Sequence, residues 1–142
     1  MTAKELMTPN PACCTADTTL QEVARLMVQH DCGEIPVIER KDMKKVVGVV
    51  TDRDIVCRTV AEGKNPLSLK AADAMSTPVV TVNERTADDE VRHVMETHQI
   101  RRVPVVDQKG ECCGIVSLAD IARRESRQQA GDLVREVSTP SR

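Results

Sequence analysis

Phenylalanine, tyrosine and tryptophan are all missing from the 142 residues. A core must therefore be built from Val, Ile, Leu, Met and Ala. Any bound base must lie between aliphatic groups, and single-stranded nucleic-acid binding, which leans on aromatic platforms, is disfavoured. A basic excess is missing too. Twenty Lys and Arg face 22 Asp and Glu, for a net charge of −2, so the footprint of a nucleic-acid binder is absent. The signs are interspersed, which argues against a membrane surface. No apolar run reaches the length of a membrane span. Met1–Leu6 has no long apolar run of a secretory leader, so a cytoplasmic location is expected. No C-x-x-C occurs, which removes the usual zinc-knuckle and thioredoxin-like spacings. The six cysteines, Cys13, Cys14, Cys32, Cys57, Cys112 and Cys113, include two adjacent pairs, a poor disulfide framework. They read as reduced thiols acting as small apolar residues. What remains is ordinary for a globular chain, with 40% hydrophobic and 30% charged residues.

The chain repeats itself. With Met7 set against Met75, the next thirty-two residues align without a gap at an offset of 68, and eight pairs are identical. They include Met7/Met75, Thr18/Thr86, Met27/Met95, His30/His98 and Pro36/Pro104. Average usage would give about two by chance. After a two-residue slip in the polar Glu39–Lys45 stretch, Gly48–Ile55 faces Gly114–Ile121 at an offset of 66. A hairpin loop tolerates such a slip.

Each copy predicts strand, helix, strand, strand, helix. The first strands are expected around Ala12–Thr15 and Val79–Val82. Leu20, Val23, Ala24, Met27 and Val28 form one helical stripe, and Ala87, Val91, Val94, Met95 and His98 continue the face in the second copy. Thr18 with Gln21, and Thr86 with Asp89, read as capping boxes. Strands follow at Ile35–Ile38 and Val46–Thr51, then at Val103–Val106 and Gly114–Ser117, and second helices start near Asp52 and Leu118. One copy of about sixty residues struggles to bury a core alone. The expected fold is thus α/β (α+β), with two β-α-β-β-α repeats packed about a pseudo-twofold axis. The expected divisions are 1–60, a linker at 61–70 (Gly63, Pro66), 71–126, and 127–142 as a helix extension with a disordered tail.

Three features recur in order: the Met-(Ser/Thr) openings, the Ile35-Pro36-Val37 and Val103-Pro104-Val105 strands, and the Gly-x-x-(Thr/Ser)-x-x-Asp closes. Together, from about Leu6 to Glu125, they resemble the cystathionine-β-synthase (CBS) domain family in its tandem, stand-alone form. The resemblance implies a regulatory module that is not an enzyme and has no catalytic cofactor. It implies an adenosyl ligand (AMP, ADP, ATP, NAD or S-adenosylmethionine) between the repeats, a homodimer, and a protein partner acted on in trans by ligand-dependent shape.

Thr51-Asp52-Arg53-Asp54 and Ser117-Leu118-Ala119-Asp120 carry the site argument. Their spacing is first a helix capping box, which needs no ligand. The same geometry offers phosphate a helix N-terminus and a hydroxyl, and offers a ribose diol a carboxylate. Those are the roles that the resemblance implies for Thr51, Asp54, Ser117 and Asp120. It also implies that each cleft borrows strands from the other repeat. The first cleft would join Thr51, Arg53 and Asp54 to Val79, Val80, Thr81, Arg101, Arg102, Val103 and Pro104. The second would join Ser117 and Asp120 to Ala12, Cys13, Glu34, Ile35 and Pro36. Gly33-Glu34 stands where the other repeat has Arg101-Arg102. Guanidinium attracts phosphate and carboxylate repels it, so the first cleft is the expected nucleotide site, and the second is expected to be weak, empty or suited to a less charged ligand. His30 and His98 are equivalent under the repeat, which favours packing over catalysis. Two other readings stay open: a ligand-free interaction module, and a redox or metal sensor using Cys13-Cys14 and Cys112-Cys113. No metal site is assigned.

Overall fold

The computed structural model describes residues 1–127. The tail expected beyond residue 127 lies outside the described residues. The chain runs α1 (Ala3–Leu6), β1 (Thr8–Pro9), β2 (Cys14–Thr15), α2 (Leu20–His30), β3 (Glu34–Arg40), β4 (Met43–Thr51) and α3 (Asp52–Arg58). Two 3-10 turns, Val60–Glu62 and Pro66–Ser68, lead on to α4 (Ala71–Ala74), β5 (Val82–Asn83), α5 (Asp88–His98), β6 (Arg102–Val106) and β7 (Cys112–Ser117). A last helix, α6, covers 118–127. The expected strand-helix-strand-strand-helix order is present twice, in two sheets ordered β2-β3-β4 and β1-β7-β6-β5.

The sequence alignment survives as strand register. Glu34 pairs with Thr51 and Val37 with Gly48; the equivalent pairs are Arg102 with Ser117 and Val105 with Gly114. Register shifts between Val37 and Arg40 take up the slip. The first strands are shorter than expected. β2 joins β3 in parallel only at Val37 and Ile38, and β5 joins β6 only at Val105 and Val106. Pro36 and Pro104 stand just before those ladders begin. Proline has no N–H, so the strand loses no donor where its neighbour departs. The diverging strands open the edge on which a cleft can form.

Three local expectations need correction. The cap of α2 is Thr19, whose hydroxyl accepts from Glu22 N at 3.2 Å. Thr18 instead closes the preceding turn, accepting from Thr15 N at 3.0 Å, while its carbonyl accepts from Ala71 N at 2.7 Å. Thr86 does the same with Asn83 N, and its carbonyl accepts from Ala3 N at 2.7 Å. Val28 is 83% exposed, because it lies roughly a third of a turn from the Val23–Met27 line. His98, like His30, is exposed at a helix end rather than packed. The 61–70 stretch is ordered at its end, where the Leu69 carbonyl accepts from Leu20 N at 3.0 Å.

The cores cross the boundary between the sequence repeats. One contains Leu20, Val23, Met27, Ile35, Val37 and Val50 together with Ala71 and Ala74 of α4. The other contains Val82, Val91, Met95, Val103, Val105 and Val116 together with Ala3 of α1. Each repeat therefore lends a four-residue helix to its twin. Each arm then continues as an edge on the other repeat's sheet. Thr8 and Pro9 pair with Ile115 and Gly114, and Ser76 pairs with Val49. The Met7 and Met75 side chains lie over Gly114 and Gly48. A Cβ on Gly114 would fall well inside contact distance of Met7 Sδ, and one on Gly48 would sit 3.1 Å from Met75 Sδ. The paired glycines are thus clearance for the exchanged arms.

Gly114→Ala should lower stability by about 1–3 kcal/mol through overpacking against Met7, and so lower Tm by several degrees in far-ultraviolet circular dichroism. Gly48→Ala should cost less. An unchanged midpoint for Gly114→Ala would show that Met7 does not fill this groove.

Candidate functional site

Both Thr/Ser-x-x-Asp segments form reciprocal capping boxes. Thr51 Oγ1 accepts from Asp54 N and Thr51 N donates to Asp54 Oδ2, each at 3.0 Å. Ser117 Oγ accepts from Asp120 N at 3.1 Å, and Ser117 N donates to Asp120 Oδ2 at 2.9 Å. Each β-strand thus runs directly into a capped helix, and the carboxylate one turn in is fixed by the backbone.

The two boxes have different neighbours. At the first, the Ser76 hydroxyl of the exchanged arm donates to both Asp54 oxygens, at 3.2 and 3.3 Å. Arg58 Nε stands 3.7 Å from Asp54 Oδ1, and its guanidinium also donates to the Met75 carbonyl at 3.1 Å. The carboxylate is therefore engaged by its own chain. Arg53 and Arg101 are exposed, while Val103 and Pro104 are buried. Val79 and Val80 are half-buried, and Val80 packs against the second core. Thr81 lines a separate shallow hollow with Asn83, Thr86 and Asp89.

At the second box the structure holds a cavity of about 450 Å³ between the repeats. Ser117, Asp120, Glu34 and Ala12 line it, as expected for the second cleft. Cys13, Ile35 and Pro36 do not line it, and the last two are buried in the strand. Arg102, expected in the first cleft, faces this one. Arg102 pairs with Ser117 across β6 and β7. Glu34, which pairs with Thr51, lines the same cavity, so the first residues of β3 and β6 both face one cleft. The expected preference of phosphate for the first cleft rested on Arg101-Arg102 against Gly33-Glu34, and of these Arg102 lines the second cleft. Sequence reasoning also missed two walls. One is the arm Thr8-Pro9-Asn10-Pro11, and the other is the helix-to-strand corner His30-Asp31-Cys32. Asn10 and Asp31 both adopt φ of 49°, in the left-handed region that short polar side chains tolerate. The two prolines around Asn10 were the available signal of a shaped loop.

Comparison with known proteins matches this geometry. A model of the CBS domain fits the chain twice, at residues 3–58 and 71–127. The chain belongs to the CBS domain family, as a tandem pair. It is 39% identical over 136 residues to the CBS domain-containing protein YhcV of Bacillus subtilis, covering 95% of this chain and 94% of that one. The CBS domain pair of protein MJ0100, solved with 5′-methylthioadenosine and S-adenosyl-L-methionine, superposes with a TM-score of 0.80 at 25% identity, covering 90% and 98% of the two chains. CBS domain protein PAE2072 from Pyrobaculum aerophilum, solved with AMP, gives 0.77 at 29% identity, covering 84% and 89%. No helix among the described residues is long and apolar enough to cross a membrane.

Within this CBS pair the six cysteines are free thiols. Cys13 and Cys112 meet across the repeats. Hydrogen bonding between the two thiols holds Cys13 low and Cys112 high, and Cys112 Sγ also lies 3.7 Å from the Gly114 carbonyl oxygen. Burial pushes Cys14 up to about 11. Among the described residues no group of three His, Cys, Asp or Glu side chains is placed to hold a metal ion.

Glu34 is the unusual group of the cavity. It is 8% exposed, and its Oε2 has no hydrogen-bond partner among the described residues. Burial raises its carboxyl from the ordinary 4.5 to about 7, opposed by Arg102 and reinforced by Asp54. The fold therefore favours protonated Glu34. That contribution to stability is complete below about 4.5 and is lost as pH rises through about 7.

Glu34→Gln should accordingly stabilise the protein above about pH 8, by on the order of 1–3 kcal/mol, and change little near pH 4.5. Thermal melts of both proteins across that range check the sign. A gain that is equal at both ends would show that ionisation of Glu34 is not its source.

Proposed function

We infer that this CBS pair is a regulatory module that binds an adenosyl ligand in the cleft of Ser117 and Asp120. The candidates are an adenine nucleotide, NAD or S-adenosylmethionine. The observation that carries the reading is a cavity walled by both repeats and opening on a capped helix N-terminus. Asp120, fixed at one oxygen by Ser117 N, can accept from both ribose hydroxyls once the exposed Arg123 side chain swings away. Ile115, Ala12 and Pro11 line the same cavity and supply the aliphatic faces that a base needs here. Relatives solved with AMP and with 5′-methylthioadenosine and S-adenosyl-L-methionine support this ligand class.

A ligand touching both repeats favours one arrangement of them, in proportion to its differential affinity. A protein partner in trans reads that arrangement. In this reading the chain carries no catalysis of its own, acts in the cytoplasm and works as a homodimer. Val56, Val60 and Leu67 each expose more than half their surface and offer apolar area for a second copy to cover. The Thr51–Asp54 cleft takes ligand only if Ser76 releases Asp54.

Thermal melting with AMP, ATP, NAD, S-adenosylmethionine and 5′-methylthioadenosine tests the reading. A ligand at a hundredfold excess over its Kd should add about 2.7 kcal/mol. Asp120→Asn keeps an acceptor for Ser117 N but removes the charge, and should weaken binding about 10- to 100-fold. If no compound raises Tm, the chain is a ligand-free interaction module. If Thr51 and Asp54 variants lose binding while Asp120→Asn does not, the first cleft is the site.

A further inference from the structure

We propose that Glu34 makes the Ser117–Asp120 cleft select adenosyl ligands whose 5′ substituent is neutral or positively charged, such as a thioether or a sulfonium, over those carrying a 5′-phosphate. This rests on the adenosyl reading of the same cleft. Glu34 opens β3 in register with Thr51 and lines the same cavity as Ser117 and Asp120. Its residue surface is nine-tenths buried, and Oε2 is unpartnered while the residue lines the cavity. A buried acceptor without a donor is costly. A positive charge brought into the cavity offsets that cost, and a phosphate increases it.

The surrounding charges sharpen the choice. Asp31, Glu34 and Asp120 line the cavity against Arg102, Arg123 and His30. Arg123 is held by Asp120. Arg102 reaches the backbone of Gly33, where the Asp52 carboxylate also arrives: a Cβ there would lie 3.3 Å from the guanidinium and 3.1 Å from Asp52 Oδ2. Arg102 also acts on Glu34, favouring its charged form, and Asp54 opposes it with a further negative field. Arg124 and Arg127 line a neighbouring hollow that shares Asp120 and Arg123 with the cavity. A dianionic phosphate in the cavity would meet the Glu34 carboxylate, which has no hydrogen-bond partner at Oε2 among the described residues. Like charges brought together in this way cost several kcal/mol.

The test is calorimetric titration of wild type and Glu34→Gln with 5′-methylthioadenosine, S-adenosylmethionine and AMP at about pH 8, where Glu34 is mostly ionised. The substitution is nearly isosteric and removes a buried charge, so folding is not at risk; a melt of the same sample verifies it. Wild type should bind the two sulfur compounds at least about tenfold more tightly than AMP, and Glu34→Gln should narrow that gap by about tenfold or more, mainly by improving AMP. AMP binding to wild type as tightly as the sulfur compounds overturns the proposal, as does a ratio unchanged in Glu34→Gln. Absence of binding by all three compounds to both proteins overturns the adenosyl reading itself, and this proposal with it.

Discussion

The exchange of two four-residue helices holds the molecule together. Ala3 and Ala71 are fully buried, each in the core of the repeat it does not belong to. Their backbone N–H groups are anchored on Thr86 and Thr18, at 2.7 Å in both cases. Alanine brings little apolar area, but it lets a helix approach closely, and the glycines under Met7 and Met75 allow the following residues to do the same. The arms then continue as sheet edges, and the first of them forms one wall of the cavity. Core, sheet and site thus share a single segment, residues 3 to 12.

That sharing explains the difference between the two clefts. Ser76, on one arm, donates to Asp54 and closes the first cleft from within. The other arm passes Asp120 and leaves room beside it, lined by Pro9, Asn10 and Pro11. Approximate symmetry of backbone thus coexists with inequality of chemistry. The inequality lies in a few side chains: Ser76, Arg58, Glu34 and Arg102.

Much of the fold was legible because repeats betray themselves by identity at fixed spacing. Pro36/Pro104 and Gly48/Gly114 marked equivalent strand positions, and the capping boxes at Thr51 and Ser117 appeared where their spacing put them. The arms were not legible. Four residues with one or two buried alanines carry no distinctive pattern, and no periodicity can develop over so short a helix. Thr18 and Thr86 were visible as a conserved-by-symmetry pair but not as docking points, because their important atom is a carbonyl that every residue possesses. Arg102, expected in the first cleft, lines the second together with Glu34, and the repeat alignment, which treats the two positions as equivalent, carries no sign of their meeting in one cavity. Glu34 was visible as an odd residue, but its burial and its effect on the proton were not.

The exchanged arms also bear on how such a chain can arise. Two separate copies of one ancestral repeat could make the same contacts by swapping their leading helices between molecules, each completing the other's core. Joining the genes would then require only a connection long enough to reach from the end of one copy to the start of the next, such as the Val60–Leu69 stretch. Once fused, the two halves are freed from identity, since each position now mutates alone. A glutamate in one half and an arginine at the matching place in the other is a divergence that two identical subunits could not have recorded.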